Sequence, residues 1–230
     1  MTQTSISPYQ NNNLFSKYYL DKRLATNPEW SQKDHIEAFE KIKKIYSDEL
    51  PRLKSFKESQ LRDKFFNRIF PVLHFEYEVE ETVKGKDRPD YAFFSDRESY
   101  ENAHVGKSQG HSLYVNAIAI GEVKQWEIDL DVYGNDEFNR SKNPALQIWL
   151  YLEDTGTRWG ILSNGRIWRI YCKQKEKHRE DYYEIDLPSL IASNDAEAFR
   201  FFYYFFRKEA FVSSKDGAAF LDRILKGSVE

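Results

Sequence analysis

The sequence predicts an α/β or α+β fold in which a mixed central β-sheet is flanked by helices, and three observations carry that reading. Apolar stripes at helical spacing open and close the chain, strand-like segments fill its middle, and one helix separates those strands from an Asn-Gly hairpin. With 230 residues, 40% hydrophobic and 16% aromatic, the chain can build one large domain or one domain with helical additions, and the second is favoured. The net charge of −3 excludes a uniformly basic nucleic-acid coat, so any phosphate contacts must be local. A single cysteine, Cys172, excludes an internal disulfide framework and fits a reducing compartment. No apolar run spans a bilayer and the polar first 13 residues lack a signal-peptide plan, so a cytoplasmic protein with no membrane partner is expected.

The elements follow in order. Residues 1–13 read as a loose polar arm. Ser31 caps a helix expected over 31–50, with Ile36, Phe39, Ile42, Tyr46 and Leu50 as its apolar stripe, and Pro51 ends it. A second helix begins near Ser55, whose spacing to Glu58 is that of a capping box, and carries Leu61, Phe65, Ile69 and Leu73, with Pro71 distorting its last turn. Residues 75–82 alternate as a strand and 91–94 form another after Pro89-Asp90. The aperiodic stretch 95–111 reads as a surface loop. The longest strand is expected over 113–124, where 117–120 is apolar on both faces as in a central strand. An acidic loop over 127–137 precedes a helix over 143–153 with Pro144 at its start. Strands over 158–163 and 166–172 flank Asn164-Gly165. Phe199, Phe202, Tyr203 and Phe206 mark a helix capped near Asn194, and Phe220, Leu221, Ile224 and Leu225 mark another behind Ser213 or Ser214. Residues 1–50 are thus an arm and helical extension, 51–210 the main domain, and 211–230 the start of a helical linker to a downstream region.

The chemistry concentrates in Asp90, Glu122 and Lys124. Strand alternation points Glu122 and Lys124 the same way and Val123 into the opposite layer. Pro-Asp pairs also make plain turns, and charges at a strand end can be merely solvated. Here the charges follow a doubly apolar run, so they emerge from a buried strand. Two carboxylates can hold Mg²⁺ against a phosphate, with the Val123 carbonyl as a further ligand and Lys124 orienting or deprotonating water or balancing charge. Glu58 is either a capping residue or a further acid pointing to the site. Gln147 and Tyr151 share a helix face, as a partly exposed pair or with Gln147 over the site in contact with the phosphate backbone or the water. Arg158, Arg166 and Arg169, with four further Lys and Arg residues up to Arg179, interleave with Trp159, Trp168 and Tyr171; they could track a phosphate backbone or form the wet face of a hairpin. The five histidines lack zinc spacing, and no phosphate-cradling glycine motif occurs.

The combination Pro89-Asp90, Glu122-Val123-Lys124 and Gln147-x-x-x-Tyr151 resembles the PD-(D/E)XK nuclease superfamily. Residues 58–73 resemble the opening helix of nuclease domains at the front of restriction enzymes, and 143–171 the helix and hairpin of type IIG, type ISP-like and type I restriction proteins. The likeness spans residues 58–206, and the long loop before the Glu122 strand departs from the most compact versions. It implies a restriction-endonuclease-like core and a Mg²⁺-dependent DNA endonuclease in which Mn²⁺ substitutes. Asp90, Glu122 and Lys124 would be catalytic, Glu58 a fourth acid, Gln147 an accessory, and Asp90, Glu122 and Val123 the metal ligands. Arg158, Arg166, Arg169 and Tyr151 would contact double-stranded DNA. The implied partners are a methyltransferase and target-recognition region in a longer polypeptide, and a second copy in a transient dimer that cuts both strands. The rivals are a repair or junction nuclease of the same superfamily and a DNA-binding module that does not cut.

Overall fold

Strands β1 (Gln10–Asn12), β2 (Glu76–Val79), β3 (Tyr91–Phe94), β4 (Ala119–Val123), β5 (Trp159–Ser163), β6 (Ile167–Cys172) and β7 (Tyr182–Asp186) form one sheet in the order β1-β7-β6-β5-β4-β3-β2. Neighbours are antiparallel except β4 and β5, which run parallel. A parallel pair needs a crossover, and the helix between them supplies it. The structure, a computed structural model, describes residues 7–79, 88–131, 143–174, 177–213 and 217–228. Residues 80–82 of the expected strand, the acidic loop beyond Asp131, Lys175 and Ser214 lie outside the described residues.

The helices are α1 (Asp34–Glu49), α2 (Glu58–Leu61), α3 (Asn67–Val72), α4 (Arg97–Ser108), α5 (Pro144–Thr155), α6 (Leu187–Ser193), α7 (Ala196–Phe206) and α8 (Phe220–Lys226). A π-turn over Arg62–Phe66 joins α2 to α3. The sheet is covered on both faces, as strands with few polar positions require. One face sets Tyr91, Phe93, Val123, Ile161, Trp168 and Ile185 against Phe39 and Ile42 of α1, Phe66 and Phe70, and the aromatic stripe of α7. The other sets Ile120 and Leu162 against Ala145, Ile148 and Leu152 of α5, and Ala92 and Phe94 against Ala103 of α4. The predicted mixed sheet flanked by helices is therefore present.

Several elements differ from expectation for local reasons. The polar arm contributes β1, which pairs with β7 at the sheet edge. Helix α1 starts at Asp34 and buries His35, Ala38, Phe39, Ile42, Ile45 and Glu49, which leaves Ile36 and Leu50 at 42% and 49% exposure. The second helix starts at Glu58: Gln60 Oε1 accepts the Lys57 N–H at 3.0 Å, while the Ser55 hydroxyl turns back to the Arg52 carbonyl. The stretch read as a loop contains α4, where Asp96 Oδ1 caps the Ser99 N–H at 2.7 Å and Ala103 is the buried helical residue. Residues 113–116 are a 3₁₀ turn, so the central strand is shorter than predicted. Leu14, Phe15, Leu20 and Leu24 near one end of the chain and Phe220, Leu221, Ile224 and Leu225 near the other belong to the same core cluster as the sheet. Among the described residues, no helix is long and apolar enough to cross a membrane.

Candidate active site

The site forms where β3 begins and β4 ends. Tyr91 pairs with Gly121, so Asp90 stands one residue beyond the β3–β4 ladder, level with Glu122. There the side chain replaces a backbone rung: the Val123 N–H donates to Asp90 Oδ2 at 2.8 Å. Alternation along β4 puts Glu122 on the face of Ile120 and α5, while Val123 packs into the opposite core. On the other edge of β4, the Lys124 N–H donates to the Ser163 carbonyl at 2.9 Å, extending the parallel ladder past the strand end. Both carboxylate residues are fixed by sheet hydrogen bonding on one side or the other.

Each carboxylate also has a cation. Lys124 Nζ donates to Glu122 Oε1 at 2.5 Å, and Arg62 Nη1 donates to Asp90 Oδ1 at 2.5 Å. Asp90 and Glu122 are 9% and 4% exposed. Burial pushes the Glu122 carboxyl well up and the Asp90 charge adds to the rise, while Lys124 opposes it. Asp90 is raised by burial too, against Arg62, the Val123 N–H and Lys124. Burial works against the Lys124 ammonium, but Glu122, Glu58 and Asp90 together outweigh it and its pKa ends above the usual lysine value. Half-buried Glu58 is raised by burial and then by Asp90, with Lys124 and Arg62 opposing. Glu58 thus lies within electrostatic reach of the other three. It is the first residue of α2, so it combines the helix-start position with a place beside the acidic pair.

Arg62 is a site residue that no motif in the sequence marks. The available signal was its spacing of four from Glu58, which puts both on one side of a helix.

The donor set suits a hard divalent cation in one specific respect. Glu122 Oε2 is buried and has no hydrogen-bond partner, although polar atoms in such a place ordinarily find one. Two raised carboxylates side by side are what a divalent charge would relieve, and Mg²⁺ uses one or two carboxylates with water and phosphate oxygens filling its other positions. Among the described residues no group of three or more His, Cys, Asp or Glu is gathered to hold a metal. The part Val123 plays here is its N–H to Asp90.

Gln147 and Tyr151 lie on α5, over the Glu122 face of the sheet. Gln147 Nε2 donates to the Tyr151 hydroxyl at 2.9 Å, and Gln147 Oε1 is buried without a partner. Tyr151 is 2% exposed within the α5 core, which corrects its expected role as a DNA contact: a buried ring cannot meet a phosphate.

The three arginines do not make one basic surface. Arg169 is corrected most: it is buried, its guanidinium donates twice to Asp131 at 2.6 Å and once to Glu184 at 2.5 Å, and it lies over the Tyr182 ring. It stands across from Leu162, itself across from Glu122, so it shares the site's face about 10 Å away but is occupied internally. Arg158 lies at the opposite end of β5, about 16 Å along the strand, against Asp222 and Gln174. Arg166 alone is at the site's end of the sheet, exposed in the hairpin turn, where its backbone N–H donates to Asn164 Oδ1. No family model matches this chain, and no curated protein or solved structure matches it.

Proposed function

We propose that the chain is a Mg²⁺-dependent DNA endonuclease domain of the PD-(D/E)XK type, serving a restriction-modification enzyme. The observation that carries this reading is the Asp90–Glu122–Lys124 cluster, which joins two buried carboxylates, one just ahead of β3 and one on β4, to an ammonium, with Glu122 Oε2 left unpartnered. Asp90 and Glu122 would hold the cation. When bound, it would lower the pKa of a water and offset charge developing on a phosphodiester.

The protein's own groups supply the rest. Lys124, held as an ammonium, is suited to orienting water and stabilising anionic oxygen rather than to removing a proton. Glu58 adds a partly buried carboxylate at the mouth of the same cluster, suited to accept a hydrogen bond from water. Arg166, on the hairpin at the same end of the sheet, supports a contact to the DNA backbone. A methyltransferase and target-recognition region in a longer polypeptide, and a second copy for double-strand cleavage, belong to this proposal.

A second reading, a DNA-binding module that does not cut, draws on one observation: Asp90 and Glu122 each already carry an internal cation. The two part on one assay. Supercoiled plasmid is incubated with Mg²⁺ and either the chain or Lys124→Ala, with circular dichroism confirming that both are folded. Nicking or linearisation by the parent and at least a hundredfold less by the variant is expected. Cleavage by both removes Lys124 from the chemistry, whereas plasmid retardation without cleavage by either favours the binding module.

A further inference from the structure

We propose that Arg62 is the resident counter-charge of this site: it occupies Asp90 Oδ1, while the Val123 N–H holds Oδ2, and it must release that oxygen before a divalent cation is held there. This rests on the reading of Asp90 and Glu122 as the cation-holding pair.

The geometry is specific. Arg62 and Asp90 meet at 2.5 Å with side chains only 18% and 11% exposed, so water screens the pair weakly. Arg62 is also the first residue of the π-turn Arg62–Phe66. One wide turn shifts the phase of the residues that follow it, and such turns occur often at functional sites. Here it separates two demands on one helical segment. Phe65 and Phe66 are fully buried in the core, while Glu58 and Arg62 face the acidic cluster.

The charges explain the consequence. Asp90, Glu122 and Glu58 stand against Arg62 and Lys124, so an arriving cation meets three carboxyl groups already faced by two positive ones. The two cations are not equivalent. Lys124 occupies one oxygen of Glu122 and leaves Oε2 free, whereas both oxygens of Asp90 are engaged, one by Arg62 and one by Val123. Taking Arg62 away leaves Asp90 still tethered by the Val123 N–H. Its loss therefore raises affinity for a divalent cation instead of scattering the ligands.

The test is direct Mn²⁺ binding to the whole chain without DNA, followed by electron paramagnetic resonance of free Mn²⁺. Arg62→Gln is expected to bind on the order of tenfold more tightly than the parent, Arg62→Lys close to the parent because it restores the charge, and Glu122→Gln to lose most binding. Equal or weaker binding by folded Arg62→Gln, with Glu122→Gln still impaired, overturns the role of Arg62 and leaves the site reading standing. No Mn²⁺ binding by any form, parent included, overturns both. Arg62→Met carries the same expectation as Arg62→Gln, and failure of both to fold overturns the claim that Val123 alone suffices to hold Asp90.

Discussion

Asp90 Oδ2 accepts the N–H of Val123 at 2.8 Å, so a side chain closes the β3–β4 ladder at the point where the backbone of β3 has turned away. This bond aligns Asp90 with Glu122 before any ligand arrives. Asp90→Ala removes the anion and the ladder closure together and leaves Arg62 in a part-buried place without its partner. A loss of about 2–4 kcal/mol is expected in urea unfolding, and Asp90→Asn should recover part of it by keeping an acceptor for Val123.

Glu122 makes stability depend on pH with a definite sign. Its carboxyl is raised in the folded chain above the unfolded value of about 4.3, so between those two values the folded state holds a proton that the unfolded state has lost. Stability from this group therefore falls as pH rises through that window. Glu122→Gln removes the dependence. In chelator-treated samples its melting temperature should exceed the parent's by more at pH 8 than at pH 5; a difference that does not grow with pH would contradict the raised carboxyl.

Cation binding should show in stability as well as in activity. If Asp90 and Glu122 hold Mn²⁺, a concentration a hundredfold above the dissociation constant adds about 2.7 kcal/mol to the parent. Thermal melts with and without Mn²⁺ should therefore separate for the parent and coincide for Glu122→Gln. Equal shifts in both would place the bound ion elsewhere.

Arg169 and Arg166 are expected to part company. Arg169→Ala leaves Glu184 without its cation in a largely buried place, while half-exposed Asp131 can turn to water, at a cost of roughly 3 kcal/mol. Arg166→Ala touches no such network and should change stability by less than about 0.5 kcal/mol while weakening plasmid retention. Denaturant titration and gel retardation of the two variants check both halves.

Gly121 lets aromatic rings lie against β4. A Cβ there would stand 2.8 Å from the Phe93 ring and 3.2 Å from Tyr91 Cβ. Gly121→Ala should cost about 1–3 kcal/mol through overpacking beside Glu122, measured by urea unfolding.

What could be read in advance was what depends on strand alternation and on short-range signals. Glu122 and Lys124 share a face because they are two apart, and the Asn164-Gly165 turn was legible because Gly165 takes a φ of +87°. Arg62 was hidden because its meeting with Asp90 depends on how a helix docks on a strand start 28 residues away. Helix α4 escaped because its surroundings demand little of its pattern: it buries Ala103 and shows charge elsewhere. Arg169 looked like a surface charge because one of its partners, Asp131, comes from the loop after β4, which no periodicity in the hairpin could announce.

The three residues of β1 protect the sheet as well as extend it. Gln10–Asn12 pairs with Tyr182–Glu184 of β7, a strand with Tyr183 and Ile185 fully buried on one face. Stripped of that short polar cover, β7 would present a row of unsatisfied N–H and C=O groups as a template for another chain. A version trimmed to residue 14 is therefore a candidate for self-association through the strand farthest from β2, even with every group around Glu122 intact.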